Sequence, residues 1–216
     1  MRRLWFLGAA FAAFSSLTFA QSFEASIGGG QSFFPSKNAA IGTSTGDPAS
    51  GTYKMADGFR LSFRMALNTR RFTGHEFGYA YSRTGLEAPA TILVTGGTLP
   101  GQPTTATTVP ASTFSLPSHQ GFYDFLVYAI PEGKRVRPFA AGGVQFTAFS
   151  QPNSYNYNRE TKYGINYGGG IKFKVKENWG FRLDARQYNM GKPFKLPNGS
   201  GRLLMWEASA SISFLL

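Results

Sequence analysis

The feature that most narrows the choice of fold is a strict alternation of apolar and polar residues in the first half of the chain. Phe59, Leu61, Phe63, Met65 and Leu67 share one parity; Gly58, Arg60, Ser62, Arg64, Ala66 and Asn68 share the other. Successive side chains of a β-strand point to opposite faces, so this segment is a strand with one apolar and one polar face. A helix, repeating at about 3.6 residues, would scatter the same residues around its circumference.

The pattern returns. Leu204, Trp206, Ala208, Ala210, Ile212, Phe214 and Leu216 alternate with Met205, Glu207, Ser209, Ser211 and Ser213. Tyr163, Ile165, Tyr167, Ile171, Phe173 and Val175 oppose Gly164, Asn166, Gly168, Gly170, Lys172 and Lys174, and Trp179, Phe181, Leu183 and Ala185 oppose Arg182, Asp184, Arg186 and Tyr188. Noisier stretches at 22–34, 76–84, 120–130 and 137–149 complete the set. Within the last, Ala140, Ala141, Gly142 and Gly143 put small residues on both parities and leave its faces unassigned. The reading is all-β, with about eight antiparallel strands.

The connections alternate in length. Residues 35–54, 87–117, 150–161 and 191–202 form long loops, and residues 69–74, 131–136 and 177–178 form short turns. Barrels of the bacterial outer membrane alternate long exterior loops with short periplasmic turns, and an even strand number leaves both termini periplasmic. The long loops are rich in Thr, Ser, Pro, Gly and Asn and are expected to be exposed and mobile.

Arg2 and Arg3, an apolar run over residues 4–14, and Thr18-Phe19-Ala20 have the order of a secretory signal peptide. Cleavage after Ala20 would leave residues 21–216 as one barrel domain and lower the net charge from +11 to +9, two arginines being removed. On an exported chain a basic surface points to anionic lipid and lipopolysaccharide rather than nucleic acid. With no cysteine, disulfides and thiolate metal sites are excluded, and no cofactor or metal is expected.

The charged parity decides which face is the interior. It gathers Glu24, Glu76, Asp124, Asp184 and Glu207 with Arg60, Arg64, Lys172, Lys174, Arg182 and Arg186. Five acids against six bases suit a lumen charge network better than a solvated coat. The other parity carries Phe59, Leu61, Phe63, Met65, Leu67, Ile171, Phe173, Val175, Phe181, Leu183, Trp206, Ile212, Phe214 and Leu216. These side chains would overfill an eight-stranded interior, so they are expected to face lipid, giving a transmembrane up-and-down barrel. Trp179, Trp206 and Tyr163 fall where interfacial aromatic girdles belong. The glycine clusters at 28–30, 142–143 and 168–170 lack a following Lys-Ser/Thr and are not phosphate loops.

Three stretches resemble the small outer-membrane β-barrel family that includes the OmpA transmembrane domain and OmpX. They are Arg137-Pro-Phe-Ala-Ala-Gly-Gly-Val144, Tyr163-Gly-Ile-Asn-Tyr-Gly-Gly-Gly170 and Asn178-Trp-Gly-Phe-Arg-Leu-Asp-Ala-Arg-Gln-Tyr188. The likeness implies residence in the cell outer membrane of a Gram-negative bacterium. It also implies that the last strand is read by the outer-membrane assembly machinery, with Ile212, Phe214 and Leu216 at alternate positions. Leu216 stands where the family usually ends in an aromatic residue. No peptidoglycan-binding domain follows the barrel, so tethering to the cell wall is not implied.

Catalytic candidates are few. His75 adjoins Glu76 at a turn-to-strand junction, and His119 follows Ser118 at the end of the longest loop; neighbours on a strand point apart and do not pair. Asp184 between Arg182 and Arg186 reads as part of the lumen network. The expected function is therefore non-enzymatic: a surface-interaction role through four long loops, whose ligand the sequence does not name. A narrow pore is the alternative, with a lipid A-modifying enzyme or a soluble lipocalin-like carrier behind it.

Overall fold

A computed structural model of the chain describes residues 22–35, 39–43, 51–95, 105–150 and 159–216. The signal-peptide segment lies outside the described residues. The described residues form eleven strands: β1 (Ser22–Phe33), β2 (Ala40–Thr43), β3 (Thr52–Arg70), β4 (Thr73–Ala88), β5 (Thr91–Thr95), β6 (Thr105–Val109), β7 (Ser112–Tyr128), β8 (Val136–Phe149), β9 (Glu160–Lys174), β10 (Trp179–Gly191) and β11 (Arg202–Leu215).

Eight of these are long and close into a ring in the order β1-β3-β4-β7-β8-β9-β10-β11, every neighbour antiparallel. Closure is made by β1, in which Ile27 stands opposite Ile212 of β11 on one side and Phe63 of β3 on the other. With both sides of every long strand paired, the ladder has no free edge along its middle, which is what hydrocarbon surroundings demand of backbone N–H and C=O groups.

The eight expected strands are all present, but several run further toward the long-loop end than the alternation indicated. β3 begins at Thr52, β4 continues to Ala88 and β7 starts at Ser112. The segment expected as one long loop over 87–117 also contains the β5–β6 hairpin, in which Thr91 pairs with Val109. Its threonines are good strand formers despite their polarity, as are its valines, and an uncharged threonine-rich stretch is not by itself irregular. β2, within the first long loop, pairs with the opening residues of β3. Residues 36–38, 44–50, 96–104 and 151–158 of these loops lie outside the described residues.

The faces of β8, which the sequence left open, are settled by its partners. Arg137, Phe139, Ala141, Gln145, Thr147 and Phe149 are buried, whereas Val144 and Phe146 are exposed. In β3 the inward parity changes along the strand. Tyr53 and Met55 are buried, but Phe59, Leu61, Phe63 and Met65 of the same odd parity are exposed. From Ala56 to Phe59 the strand spends three steps against two on β4, Gly85 to Arg83, so one extra residue is accommodated as a bulge and the side chains from Phe59 to Asn68 change face.

Candidate functional site

Barrel closure sets the inward side chains of all eight long strands against one another, and the interior divides into three layers. The middle layer is ionic. Arg60 and Arg64 of β3 and Arg182 and Arg186 of β10 meet Glu76 of β4, Asp124 of β7, Asp184 of β10 and Glu207 of β11. Four cations face four anions, so the layer is neutral. Arg60 lies 3.1 Å from Glu207, Arg64 2.9 Å from Asp184 and 2.5 Å from Glu207, and Arg186 2.7 Å from Glu76 and 3.1 Å from Asp184. Arg182 grips Glu76 and reaches Asp184 at 2.8 Å; Arg186 also pairs with Asp124. All four arginines are at most 1% exposed.

Aromatic residues of neighbouring strands fill the gaps between these charges. The Phe122 ring lies 5.6 Å from the Arg64 guanidinium carbon and 5.4 Å from that of Arg186, Phe139 4.6 Å from that of Arg182, and Tyr188 4.9 Å from that of Arg60. The Tyr188 hydroxyl also donates to Glu207 at 2.6 Å. Phe122 finds its room because Gly78 stands opposite it: a Cβ there would lie 2.0 Å from the ring. An inward Phe among arginines is not legible from the alternation, since single apolar residues on a polar face read as noise.

Above, toward the long loops, the interior turns apolar. Ile41, Tyr53, Met55, Leu86, Leu116, Phe149, Met190, Leu203 and Met205 pack with Phe34, Phe194 and Leu196 into one buried cluster. Three of these, Phe34, Phe194 and Leu196, come from connections rather than strands, so the loops themselves fill the barrel mouth. The connection after β10 is tied down by Phe194 N–H donating to the Glu160 carboxylate and by Thr43 N–H donating to Pro197 O at 2.8 Å. Phe194 and Lys195 hold it at positive φ, 69° and 43°. This plug was not anticipated.

Below, toward the short turns, Lys172 pairs with Glu24 at 2.5 Å and donates to the Tyr128 hydroxyl at 3.0 Å. Lys174, counted with the lumen charges on its parity, is half-buried near the end of β9 and has no ion pair among the described residues. Arg137 stacks on Tyr128 with its guanidinium carbon 3.4 Å from the ring centre. Its parity could not be read from the sequence, because β8 is small-sided on both faces.

The opposite parity looks outward. Phe59, Leu61, Phe63, Met65, Ile171, Val175, Phe181, Leu183, Trp206, Ile212, Phe214 and Leu216 are exposed, while Leu67 and Phe173 are half-buried between neighbours on the same surface. Both histidines belong to this outer wall and stand within strands. His119 was expected at a loop end, but β7 starts seven residues before it. His75 Nδ1 is hydrogen-bonded to the Tyr123 hydroxyl at 2.7 Å and His119 Nδ1 to the Tyr79 hydroxyl at 2.6 Å. Ser118, by contrast, is buried on the inner face. Among the described residues neither histidine hydrogen-bonds a serine or a carboxylate, and no group of three or more His, Asp or Glu side chains is arranged to hold a metal ion.

Comparison with known proteins agrees with this geometry. The sequence matches the family described as outer membrane protein beta-barrel domain over residues 6–214. No curated protein matches it. Among solved structures, the outer membrane protein OprG from Pseudomonas aeruginosa is similar over 91% of this chain and 96% of its own, with 10% identity and a TM-score of 0.56. Neisserial surface protein A is similar over 90% of this chain and 96% of its own, with 14% identity and a TM-score of 0.49. At such identities the likeness is one of fold.

Proposed function

We propose that this chain, a member of the family of outer membrane protein beta-barrel domains, is a closed, non-conducting barrel whose work is done at its long-loop end by surface interaction rather than by transport or catalysis. The observation that carries this reading is the stacking of two barriers in one lumen. A neutral, buried layer of arginines and carboxylates fills the middle, and an apolar plug built partly from the loops fills the mouth above it. An ion would have to break the first and desolvate within the second.

The outward apolar belt, with Phe63 and Phe181 among its exposed residues, suits contact with lipid acyl chains. Among the described residues of the long-loop rim Lys54, Arg83, Arg159, Lys162, Lys192, Lys195 and Arg202 outnumber Asp57, Glu87 and Glu160, which favours contact with lipopolysaccharide phosphates. In this orientation the short turns and both termini are periplasmic, after export by the signal peptide, and β11 is the strand offered to the assembly machinery. The test is conductance in planar bilayers. The purified barrel should give no steady current steps; sustained, reproducible steps would replace this reading with the pore.

A further inference from the structure

The three short turns are each basic. Arg70 and Arg71 stand where β3 passes into β4, Lys134 and Arg135 where β7 passes into β8, and Lys174 and Lys176 where β9 passes into β10. Within residues 70–72, 131–135 and 174–178 the acids are Glu132 and Glu177, so these segments carry +4 (6 − 2). The strand order β3-β4-β7-β8-β9-β10 makes the turns neighbours, and hydrogen bonds tie them together. Tyr128 N–H donates to Phe72 O at 2.8 Å and Lys174 N–H to Arg135 O at 2.7 Å. The buried Arg137 adds a further link, donating to Arg71 O and to Ile130 O, each at 3.2 Å. The cations therefore share one fixed arc at the end of the barrel.

Solvated cations hold a single small anion weakly, so the arc suits a surface that presents many anions at once. The neighbours of the cations narrow the choice. In every turn a cation adjoins an exposed apolar side chain: Arg71 precedes Phe72 (44% exposed), Arg135 precedes Val136 (43%), and Lys176 follows Val175 (49%). The Arg71 guanidinium carbon lies 5.9 Å from the centre of the Phe72 ring. Trp179, whose carbonyl accepts from Val175 and Lys176 N–H at 3.1 Å each, packs its ring 5.3 Å from that of Phe181 in the outward belt. The apolar belt thus reaches the turns themselves, which sets their cations at the level where acyl chains give way to headgroups. A soluble polyanion would leave Phe72, Val136 and Val175 in water. An anionic lipid meets both halves of each pair, its chains against the apolar group and its phosphate against the cation.

We propose that the short-turn face is a binding surface for anionic phospholipids, with Arg71, Arg135 and Lys176 on their headgroup phosphates. Only the naming of that leaflet as periplasmic rests on the orientation proposed above; the surface itself does not.

The test uses the exported barrel, whose tryptophans are Trp179 at this face and Trp206 toward the long loops. With Trp206→Phe, Trp179 alone reports the lipid beside the turns, and with Trp179→Phe, Trp206 alone reports the other end. Each protein is folded into phosphatidylcholine vesicles containing brominated phosphatidylglycerol or, separately, brominated phosphatidylcholine, and fluorescence quenching gives the relative affinity of the two lipids. At Trp179 phosphatidylglycerol should be favoured by about fivefold or more, the effect of one cation near an anionic surface. Arg71→Gln, Arg135→Gln and Lys176→Gln together should bring that ratio close to one, with the heat-dependent gel shift of the folded barrel intact and the ratio at Trp206 unchanged. In the protein without these three changes, salt at about 1 M, which shortens screening to about 3 Å, should also remove most of the preference at Trp179. Equal quenching of Trp179 by the two lipids, a preference that survives the triple change or the salt, or an equal fall at Trp206 would overturn the proposal. So would release of phosphatidylglycerol by soluble peptidoglycan fragments, which would assign the face to the cell wall instead.

Discussion

Replacing Asp184 by Asn measures how dry the ionic layer is. The carboxylate accepts five hydrogen bonds from three arginines: one from Arg64 at 2.9 Å, two from Arg182 at 2.8 and 2.9 Å, and two from Arg186 at 3.1 and 3.3 Å. An amide of the same shape has a single acceptor oxygen, so at best its NH2 faces the Arg64 and Arg182 donors on Oδ2 and two bonds are lost. Hydrogen bonds to charged groups contribute roughly 1.5–3 kcal/mol each, which gives about 3–6 kcal/mol for two. One-sided removal of a buried ion-pair partner costs about 3–5 kcal/mol, so the expected loss lies in that shared range. The layer would also carry a net +1, four cations against three anions. Combining Asp184→Asn with Arg64→Met restores three against three and should cost less than the sum of the single changes, by roughly 0.5–3 kcal/mol. Urea unfolding in lipid vesicles, followed by tryptophan fluorescence, would give these numbers. A loss below about 1 kcal/mol, the value of an exposed pair, would mean that water screens the layer and that the first of the two barriers is not there.

Two further outcomes test the walls. Phe63→Arg or Phe181→Arg, each on the exposed belt, should cost about 2–4 kcal/mol when the barrel is folded into vesicles, and unimpaired stability would count against contact of that belt with lipid. Gly78→Ala places a methyl where the Phe122 ring lies and should cost roughly 1–3 kcal/mol, recovered in part by Phe122→Leu; an unchanged unfolding curve would show that the ring does not need the gap.

Period two carried most of the architecture, because each strand reports its own two faces locally. Arg60 and Arg64, or Arg182 and Arg186, declare their side of the sheet without reference to anything distant. What local pattern cannot supply is pairing. Arg64 finds Glu207 across 143 positions of sequence, and Arg186 finds Glu76 across 110. The apolar plug was illegible for two separate reasons. Tyr53 and Met55 share the parity of the outward Phe59, and only the bulge between them turns one pair inward. Phe194 and Leu196 belong to a connection whose backbone follows no period at all. The strand extensions at Thr52 and Ser112 are not legible in the pattern because threonine and serine read as loop composition, although backbone pairing rather than side-chain polarity extends a ladder. Facing in β8 needed its neighbours: Gly143 is inward because it stands opposite Asp124.

The extra residue in β3 gives the wall a joint. On either side of it the same strand obeys opposite rules, odd positions inward before residue 56 and even positions inward after residue 59. A strand without such a joint would commit its whole length to one assignment, so making the mouth apolar would have required rewriting the parity of the middle as well. With it, the upper collar and the ionic layer can drift independently in sequence while sharing one continuous ladder. A lineage could remodel the entrance, or widen it, without disturbing a single arginine below.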